Sequence, residues 1–256
     1  MRNTSGKNSR SSSTLFVEIF ARIWALWGLV TWIVTILIAF IFFLPCYLMK
    51  EPMAARWHRK VSRVWIAVYL TFIGCSLKVK GKANYDKKTN YIVVCNHNSF
   101  MDILATTPYM PNANKTIAKK SLSYIPVFGW IYSMGSILVD RKDTKSRQKS
   151  YVEMKEVLRL GLDMVIYPEG TRNRTNEPLK NFYDGAFRLS VDTGKPIIPA
   201  AIFNTRKVFP ATKIFYLMPH KMEMHFLPPL YPDNYSAKEL KEKIFKQMWD
   251  YLEMNS

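Results

Sequence analysis

A histidine and an aspartate five residues apart are the side chains best suited to acid–base chemistry in this sequence. His97 follows the apolar run 91–95, and Asp102 lies five positions further on. At about 100° per residue, this spacing puts the two side chains roughly 140° apart around a continuous helix. They can meet only if His97 lies in a turn and Asp102 lies in the first turn of a helix that begins near Ser99. The carboxylate would then hold one ring nitrogen and leave the other free as a general base.

The same aspartate also has a purely structural interpretation. Ser99-x-x-Asp102 fits a capping box, in which the carboxylate accepts a backbone N–H at the start of a helix. Residue types alone leave both interpretations open.

A second apolar run, 163–167, also ends abruptly in polar residues. It is followed by Pro168-Glu169-Gly170-Thr171-Arg172-Asn173-Arg174. Glycine permits positive φ and close approach to a ligand, and arginine offers a planar fork that suits phosphate. This segment is a candidate site for an anionic head group, although an ordinary solvated turn has a similar composition.

Several other chemistries find no support in the sequence. There is no G-x-S-x-G elbow, no Walker loop and no dinucleotide fingerprint. His97 and Asp102 lack further ligands at a suitable spacing, so we predict no metal. We expect His58, His220 and His225 to be surface or core residues. Without an evident nucleophile, His97 is better suited to deprotonate a substrate hydroxyl in a one-step transfer.

Charge and composition restrict the partners. The 256 residues are 48% hydrophobic and carry a formal net charge of +18, which implies an anionic partner. Nucleic acid is disfavoured because the aromatic residues concentrate in apolar segments instead of alternating with basic ones. Cys46, Cys75 and Cys95 have no paired spacing, so neither a disulfide nor a zinc site is expected, and a reducing cytoplasmic setting is favoured.

The N-terminal part has the composition of a membrane-associated segment. We expect a mobile polar tail over residues 1–14, while residues 23–49 contain no charged side chain. A helix of that length measures about 40 Å and could cross a hydrocarbon core of roughly 30 Å. Basic residues flank it on both sides, so its orientation is undetermined. We favour a helical hairpin that turns near residues 45–52 and dips into one leaflet from the cytoplasmic face; a single span is the alternative.

The second helix of this hairpin is amphipathic at its start. Basic residues recur at helical spacing on one face, and apolar residues occupy another. The basic set is Arg56, Arg59, Lys60 and Arg63, and the apolar set is Trp57, Val61, Val64, Val68 and Phe72.

From residue 77 onward, strand-like runs alternate with helical segments. Strands are expected at 77–80, 91–95, 116–119, 136–140, 163–167, 196–203, 214–218 and 222–226. Helices are expected at 99–107, 121–134, 144–161, 185–194 and 236–252. This order predicts an α/β fold with a mixed, largely parallel sheet flanked by helices. The aromatic residues of the 121–134 segment fit either the core, which is the commoner outcome, or a membrane-facing surface.

Five short blocks carry a family resemblance. They are Asn96-His97-x4-Asp102, Lys119-x2-Leu122-x3-Pro126-x2-Gly129, Gly135-x4-Asp140-Arg141, Glu169-Gly170-Thr171-Arg172 and Pro196-Ile197-Ile198-Pro199. In this order the chain resembles the glycerolipid acyltransferases, most closely the 1-acyl-glycerol-3-phosphate acyltransferases. The hairpin is similar to the membrane-docking helices of bacterial members. Ser121 departs from the glutamate of many members and leaves the acceptor open.

The resemblance implies transfer of an acyl chain from acyl-CoA or acyl-ACP to the sn-2 hydroxyl of lysophosphatidic acid, without a cofactor. By this resemblance His97 removes the hydroxyl proton, and Asp102 orients the His97 side chain. Arg172 would hold the phosphate, with Lys119 as the second candidate. Glu169, Gly170 and Thr171 would shape the glycerol site.

The resemblance also implies a division of the chain and a location. Residues 1–77 would form the tail and the membrane-associated hairpin, and residues 78–256 the acyltransferase catalytic domain. The protein would lie against anionic lipids on the cytoplasmic face of the inner membrane. The alternatives are a related O-acyltransferase that uses glycerol 3-phosphate, a lysophospholipid or a lyso-ornithine-type lipid, and a non-enzymatic lipid-binding protein.

Overall fold

A computed structural model describes the backbone of residues 5–255 and the side chains of residues 14–255. In this part of the chain seven strands form one sheet in the order β1-β7-β6-β2-β5-β3-β4. The strands are β1 (Ser76–Lys80), β2 (Ile92–Cys95), β3 (Asn114–Lys119), β4 (Ser136–Val139), β5 (Asp163–Ile166), β6 (Ile197–Phe203) and β7 (Lys221–Phe226). Neighbouring strands are parallel except β6 and β7, which confirms the predicted mixed, largely parallel sheet.

Helices cover both faces of the sheet. They are α1 (Ser5–Phe43), α2 (Met53–Phe72), α3 (Met101–Thr106), α4 (Phe128–Met134), α5 (Thr144–Arg159), α6 (Gly185–Thr193), α7 (Thr205–Val208) and α8 (Ala237–Asn255). Helices α5, α6 and α8 pack on one face, over a core that includes Ile92 and Val94 of β2. Helices α1 to α4 lie on the other face. Every residue of β2 is buried, as its uniformly apolar sequence predicts for a strand covered on both sides.

The predicted N-terminal hairpin is present. Helix α1 ends at Phe43, a 3₁₀ turn follows at Leu44–Tyr47, and α2 packs back against α1. Indole N–H groups join the two helices along their length: Trp27 donates to the Phe72 carbonyl at 2.9 Å, and Trp57 donates to the Phe42 carbonyl at 2.8 Å.

The helical part of the N-terminus is longer than predicted. Helix α1 begins at Ser5, inside the segment expected to be a mobile tail, and residues 1–4 lie outside the described part of the chain. A polar segment can join a helix because, once an apolar run has formed the helix, each added residue contributes a hydrogen bond.

The predicted strand at 214–218 is wrong. Leu217 donates its backbone N–H to the Ala21 carbonyl at 3.2 Å, and Arg22 donates to the Ile214 carbonyl at 2.6 Å, so this segment bonds to α1. Strand β7 already pairs with β6 on one side and with β1 on the other. No open edge is left beside it for another strand.

The segment 121–134 also differs from its prediction. A 3₁₀ turn at Lys120–Tyr124 precedes the shorter helix α4. Tyr132 is buried as expected, but Tyr124 and Trp130 are 73% and 54% exposed. The Trp130 ring instead contacts Phe40 of α1, with centroids 5.7 Å apart. The aromatic residues of this segment are therefore divided between the core and the surface next to α1.

A buried carboxyl lies at the start of β5, at the amino ends of the central strands, whereas His97 lies beyond their carboxyl ends. Asp163 accepts the Tyr91 backbone N–H at 2.9 Å and the Tyr85 hydroxyl. Burial raises the pKa of Asp163 from 3.8 to about 8, although its bond from Tyr91 and the charge of Arg59 oppose this shift. The folded protein therefore binds a proton here that an unfolded chain releases near pH 4.

The variant Asp163→Asn tests this assignment. Because the folded pKa is raised, the protonated carboxyl stabilises the fold fully below pH 3.8, and this contribution is lost as the pH rises towards 8. The slope approaches ~1.4 kcal/mol per pH unit within that window. We expect the asparagine variant to lack this slope and to exceed the parent in stability at pH 8, as measured by unfolding in detergent from pH 5 to 8. Asp233→Asn, at an exposed aspartate, is the matched control. A constant difference between Asp163→Asn and the parent across this range would refute the assignment.

Candidate active site

The turn that carries His97 begins at Asn96, whose side chain replaces the backbone in hydrogen bonding to strand β6. The Asn96 amide donates to the Ile202 carbonyl at 3.0 Å and accepts the Ile202 N–H at 2.7 Å. This exchange continues the pairing of β2 with β6 by one residue while the backbone leaves the sheet. His97 consequently lies at the carboxyl end of a central parallel strand, where open α/β sheets bind their ligands.

His97 and Asp102 meet as their spacing predicts, with His97 in the turn and Asp102 in the first turn of α3. The distance from His97 Nδ1 to Asp102 Oδ2 is 2.8 Å. The same oxygen accepts the backbone N–H groups of Asn98 at 2.6 Å and Ser99 at 2.7 Å. One carboxylate oxygen therefore makes the backbone contacts that the capping interpretation requires and the imidazole contact that the orienting interpretation requires.

This arrangement leaves one imidazole nitrogen available for chemistry. The Asp102 side chain is fully buried, while the His97 side chain is 15% exposed. With Nδ1 donating to the carboxylate, the neutral imidazole carries its free lone pair on Nε2. Nε2 can then accept a proton from a hydroxyl group.

Tyr167 packs against the imidazole and was not anticipated from the sequence. The two ring centroids are 4.6 Å apart, and the Tyr167 hydroxyl lies 2.6 Å from Thr106 Oγ1 in α3. Burial, with Cys95 and Asp102 nearby, raises the pKa of Tyr167 well above 10, so the phenol stays neutral. A usable signal was its position, because Tyr167 directly follows β5, a neighbour of β2 in the sheet.

Glu169 ties the second loop to the His97 turn. Its Oε1 accepts the His97 backbone N–H at 2.7 Å, and its Oε2 accepts the Lys180 backbone N–H at 3.0 Å. In return, the Asn173 N–H donates to the His97 carbonyl at 2.6 Å. Burial raises the pKa of Glu169, whereas the two N–H donors lower it. With both oxygens engaged, Glu169 braces the two loops against each other.

The other residues of this loop have distinct surroundings. Gly170 adopts φ +69°, a conformation that favours glycine, and a Cβ there would come within 2.6 Å of the ring of Tyr183, an exposed side chain that would have to move. Thr171 Oγ1 accepts a hydrogen bond from the Lys180 ammonium at 2.6 Å. The Arg172 guanidinium carbon lies 3.8 Å from the centroid of the Phe100 ring, a cation–π contact next to the His97 turn.

Lys119 lies at the same edge of the sheet but apart from this group. It ends β3, which is separated from β2 by β5, and its backbone N–H donates to the Tyr132 hydroxyl at 3.0 Å. Within the described residues, no hydrogen bond or ion pair connects its ammonium to His97, Asp102 or Glu169.

Arg206 joins the site without having been predicted. Its guanidinium donates to Asn98 Oδ1 and to the Asn173 carbonyl, both at 3.2 Å, and to the Thr175 carbonyl at 2.8 Å. All three acceptors are neutral, so these bonds hold the two loops together and leave the positive charge uncompensated. Its position soon after β6 was the only available signal, and it belongs to none of the five blocks.

Of the other described histidines, His58 and His225 have structural surroundings, whereas His220 is exposed and lines a groove formed by the segment between β6 and β7. His225 is buried between the Tyr251 hydroxyl at 2.9 Å and Glu223 at 2.6 Å, which confirms a satisfied core histidine. His58 contacts the Ile131 carbonyl at 3.0 Å, and burial lowers its pKa to about 4. His58 is therefore neutral near pH 7.

Comparison with known proteins identifies a family and several relatives of similar sequence. The family model described as Acyltransferase matches residues 76–203, half of the chain. The 1-acyl-sn-glycerol-3-phosphate acyltransferase of Saccharomyces cerevisiae is 32% identical over 81% of this chain and 69% of the yeast protein. The Helicobacter pylori protein of that name is 30% identical over 76% of this chain and 83% of its own length.

Coverage and fold complete the comparison. The chain spans about half, 46%, of the chloroplastic acyltransferase LPAT1 of Arabidopsis thaliana, at 29% identity. It shares its fold with the crystal structure of the 1-acyl-sn-glycerophosphate acyltransferase PlsC from Thermotoga maritima, with a TM-score of 0.79 over 92% of this chain and 96% of that one, at 24% identity. The family model and the yeast and Helicobacter relatives together show that this chain belongs to the acyltransferase family, among the 1-acyl-sn-glycerol-3-phosphate acyltransferases.

Proposed function

We propose that this protein transfers an acyl chain from an acyl thioester of coenzyme A or acyl carrier protein to the sn-2 hydroxyl of 1-acyl-glycerol 3-phosphate. The observation that carries the proposal is the His97–Asp102 contact of 2.8 Å, with the imidazole partly open to the surface. The names of the yeast and Helicobacter relatives supply the acceptor. The product would be phosphatidic acid.

The proposed reaction needs no covalent enzyme intermediate. His97 Nε2 takes the proton of the acceptor hydroxyl as its oxygen attacks the thioester carbonyl. The C–S bond breaks when the tetrahedral intermediate collapses, and the departing thiolate receives that proton. Asp102 holds the imidazole in the required tautomer and stabilises the imidazolium that forms during the transfer. Tyr167 restricts the imidazole ring from one side.

Arg172 is our candidate for the phosphate of the acceptor. Its guanidinium rests on Phe100, one residue before α3, so it lies next to the turn that carries His97. Arginine is suited to phosphate because its planar fork can make two parallel hydrogen bonds. Lys119 would act more remotely, through its charge at the same edge of the sheet. Glu169, Gly170 and Thr171 would shape the glycerol site by fixing the path of the loop.

We further propose that residues 1–77 attach the catalytic unit, residues 78–256, to the cytoplasmic face of the membrane. The segment Thr14–Tyr47 is long and apolar enough to cross a bilayer, and an 18-residue window within it has a mean hydropathy of 2.6. Large apolar side chains are exposed along α1, among them Ile23 at 63% and Ile41 at 62%. Cys46, Cys75 and Cys95 are free thiols, as a reducing compartment favours.

Contacts of α1 with the body favour a helix that lies in one leaflet. In its first half Glu18 pairs with Lys213, and near its end Phe40 contacts Trp130. A helix held against the body at two points that far apart cannot stand across a bilayer unless the body also enters it. We therefore place α1 along the membrane surface with its exposed apolar face among the acyl chains.

Loss of the His97 imidazole tests the mechanism. We expect His97→Ala to lower kcat by a factor of about 10² to 10⁴, the usual contribution of a general base. The measurement is acyl transfer by purified protein to 1-acyl-glycerol 3-phosphate, with acyl-CoA and acyl-ACP tested separately. Thermal unfolding and vesicle binding should match the parent, which serves as the control for folding. A rate within tenfold of the parent rules out His97 as the base.

Replacement of Arg172 tests the acceptor. Hydrogen bonds to a charged group contribute about 1.5–3 kcal/mol, so Arg172→Ala should raise KM for 1-acyl-glycerol 3-phosphate by about 10- to 100-fold. KM for the thioester should stay unchanged. Arg174→Ala, at an exposed arginine two residues away, is the matched control. A fall in kcat at constant KM would assign Arg172 to the reacting groups instead.

The membrane attachment is tested on the exposed face of α1. The double variant Ile23→Asp with Ile41→Asp places two charges on that face, where each is costly among acyl chains. We expect at least tenfold weaker binding to vesicles in a flotation assay. The control Val152→Asp alters an apolar residue of α5 that is 68% exposed on the opposite layer. Equal binding of all three proteins would contradict this placement of α1.

A further inference from the structure

The segment between β6 and β7 contains an exposed apolar tip. Its sequence is strand-like, but Ile214 is 86% exposed and Phe215 is 42% exposed. Phe215 also adopts φ +50°, in the left-handed region that disfavours a bulky L side chain. A strained residue persists only where its surroundings enforce its conformation, and such positions cluster at functional sites. Because its apolar side chains are exposed in an enforced conformation, this tip is suited to a partner that covers them.

The tip is fastened to α1. Arg22 donates to the Ile214 carbonyl at 2.6 Å, the Leu217 N–H donates to the Ala21 carbonyl at 3.2 Å, and Lys213 pairs with Glu18. The adjoining part of α1 is itself apolar and exposed. Leu15, Phe16 and Ile19 are 62%, 72% and 52% exposed. The tip therefore continues the apolar surface that we place against the bilayer.

A basic groove borders the tip. It has a volume of about 390 Å³, and its lining includes Arg206, Lys207, Lys213 and Tyr216 but no carboxylate among the described residues. Arg206 donates only to neutral oxygens, and Lys213 lies 4.3 Å from the centroid of the Tyr216 ring. Among the arginine and lysine residues of the groove, Lys213 pairs with Glu18, which also pairs with Arg22 of α1, whereas Arg206 and Lys207 have no carboxylate partner in the described part of the chain, so the groove retains positive charge.

We propose that the loop of residues 204–220 is a second membrane-contact element, which inserts Ile214 and Phe215 into the leaflet and holds the phosphate of an anionic glycerophospholipid in the groove. Charge complementarity and continuity with α1 identify this occupant. A soluble phosphate ligand would leave the neighbouring apolar tip in water. Because Arg206 also bonds to Asn98, the bound head group lies next to the His97 turn.

This inference rests on the proposed placement of α1 against the bilayer, and site-directed labelling separates the two. The three native cysteines are buried, so an introduced surface cysteine can be labelled selectively. An environment-sensitive fluorophore is attached to Ile214→Cys, to Ile19→Cys on α1 and to Val152→Cys on the opposite layer. Emission is then recorded with vesicles of phosphatidylcholine and phosphatidylglycerol. Phosphatidylglycerol is neither substrate nor product of the proposed reaction.

The labels give distinguishable outcomes. We expect blue-shifted emission from positions 214 and 19, and none from position 152. A shift at position 19 without one at position 214 would overturn the second contact while preserving the membrane role of α1. No shift at either position would overturn both. Acyl transfer by the parent is measured in parallel, so a failure of the proposed activity is seen independently.

The groove is tested by charge reversal. Basic residues near an anionic surface each strengthen binding about fivefold, so Lys207→Glu should weaken binding to vesicles with phosphatidylglycerol by about tenfold or more. Binding to phosphatidylcholine alone should change less than twofold. Lys238→Glu, at an exposed lysine of α8, is the matched control. Equal effects of the two reversals, or equal weakening on both vesicle types, would refute a headgroup site in the groove.

Discussion

The carboxylate oxygen Oδ2 of Asp102 accepts three N–H groups at 2.6 to 2.8 Å, and the arrangement of the site depends on it. Two of these donors are backbone groups of the turn, and the third is the His97 imidazole. Hydrogen bonds to a charged acceptor are stronger than neutral ones, and here they are buried. The same oxygen therefore binds the backbone at the start of α3 and holds the His97 ring in its orientation. Any change at Asp102 disturbs both the backbone of the turn and the histidine.

The parallel sheet explains why distant blocks of sequence converge. Strands β2, β5 and β6 are neighbours, so the segments that follow them emerge at one edge. Hydrogen bonds then join these segments: Glu169 accepts the His97 backbone N–H, and Arg206 donates to Asn98 and Asn173. Each oxygen of Glu169 accepts one backbone N–H, so the carboxylate is fixed between the two loops. Its position in the family block is explained as well by this bracing as by contact with glycerol.

Positive charge and apolar surface are combined on the side of the molecule that bears α1. The helix offers an apolar face, and the loop fastened to it adds an apolar tip and a basic groove. The proposed anionic substrate and product, and anionic bilayer lipids, would all be attracted to such a surface. The net charge of +18 is thus consistent with a membrane partner without any need for nucleic acid.

The sequence by itself determined the central strands, the α/β class, the hairpin and the pairing of His97 with Asp102, because each depends on local periodicity or on a short spacing. It also predicted the left-handed glycine at Gly170. Only the tertiary structure decided that 214–218 joins α1, because pairing partners of β7 come from distant parts of the chain. Tyr167 and Arg206 were missed for the same reason, since side chains from separate strands approach His97 only after the sheet has formed. Likewise, which aromatic residues face outward depended on where α1 packs, and periodicity within 121–134 carries no information about that contact.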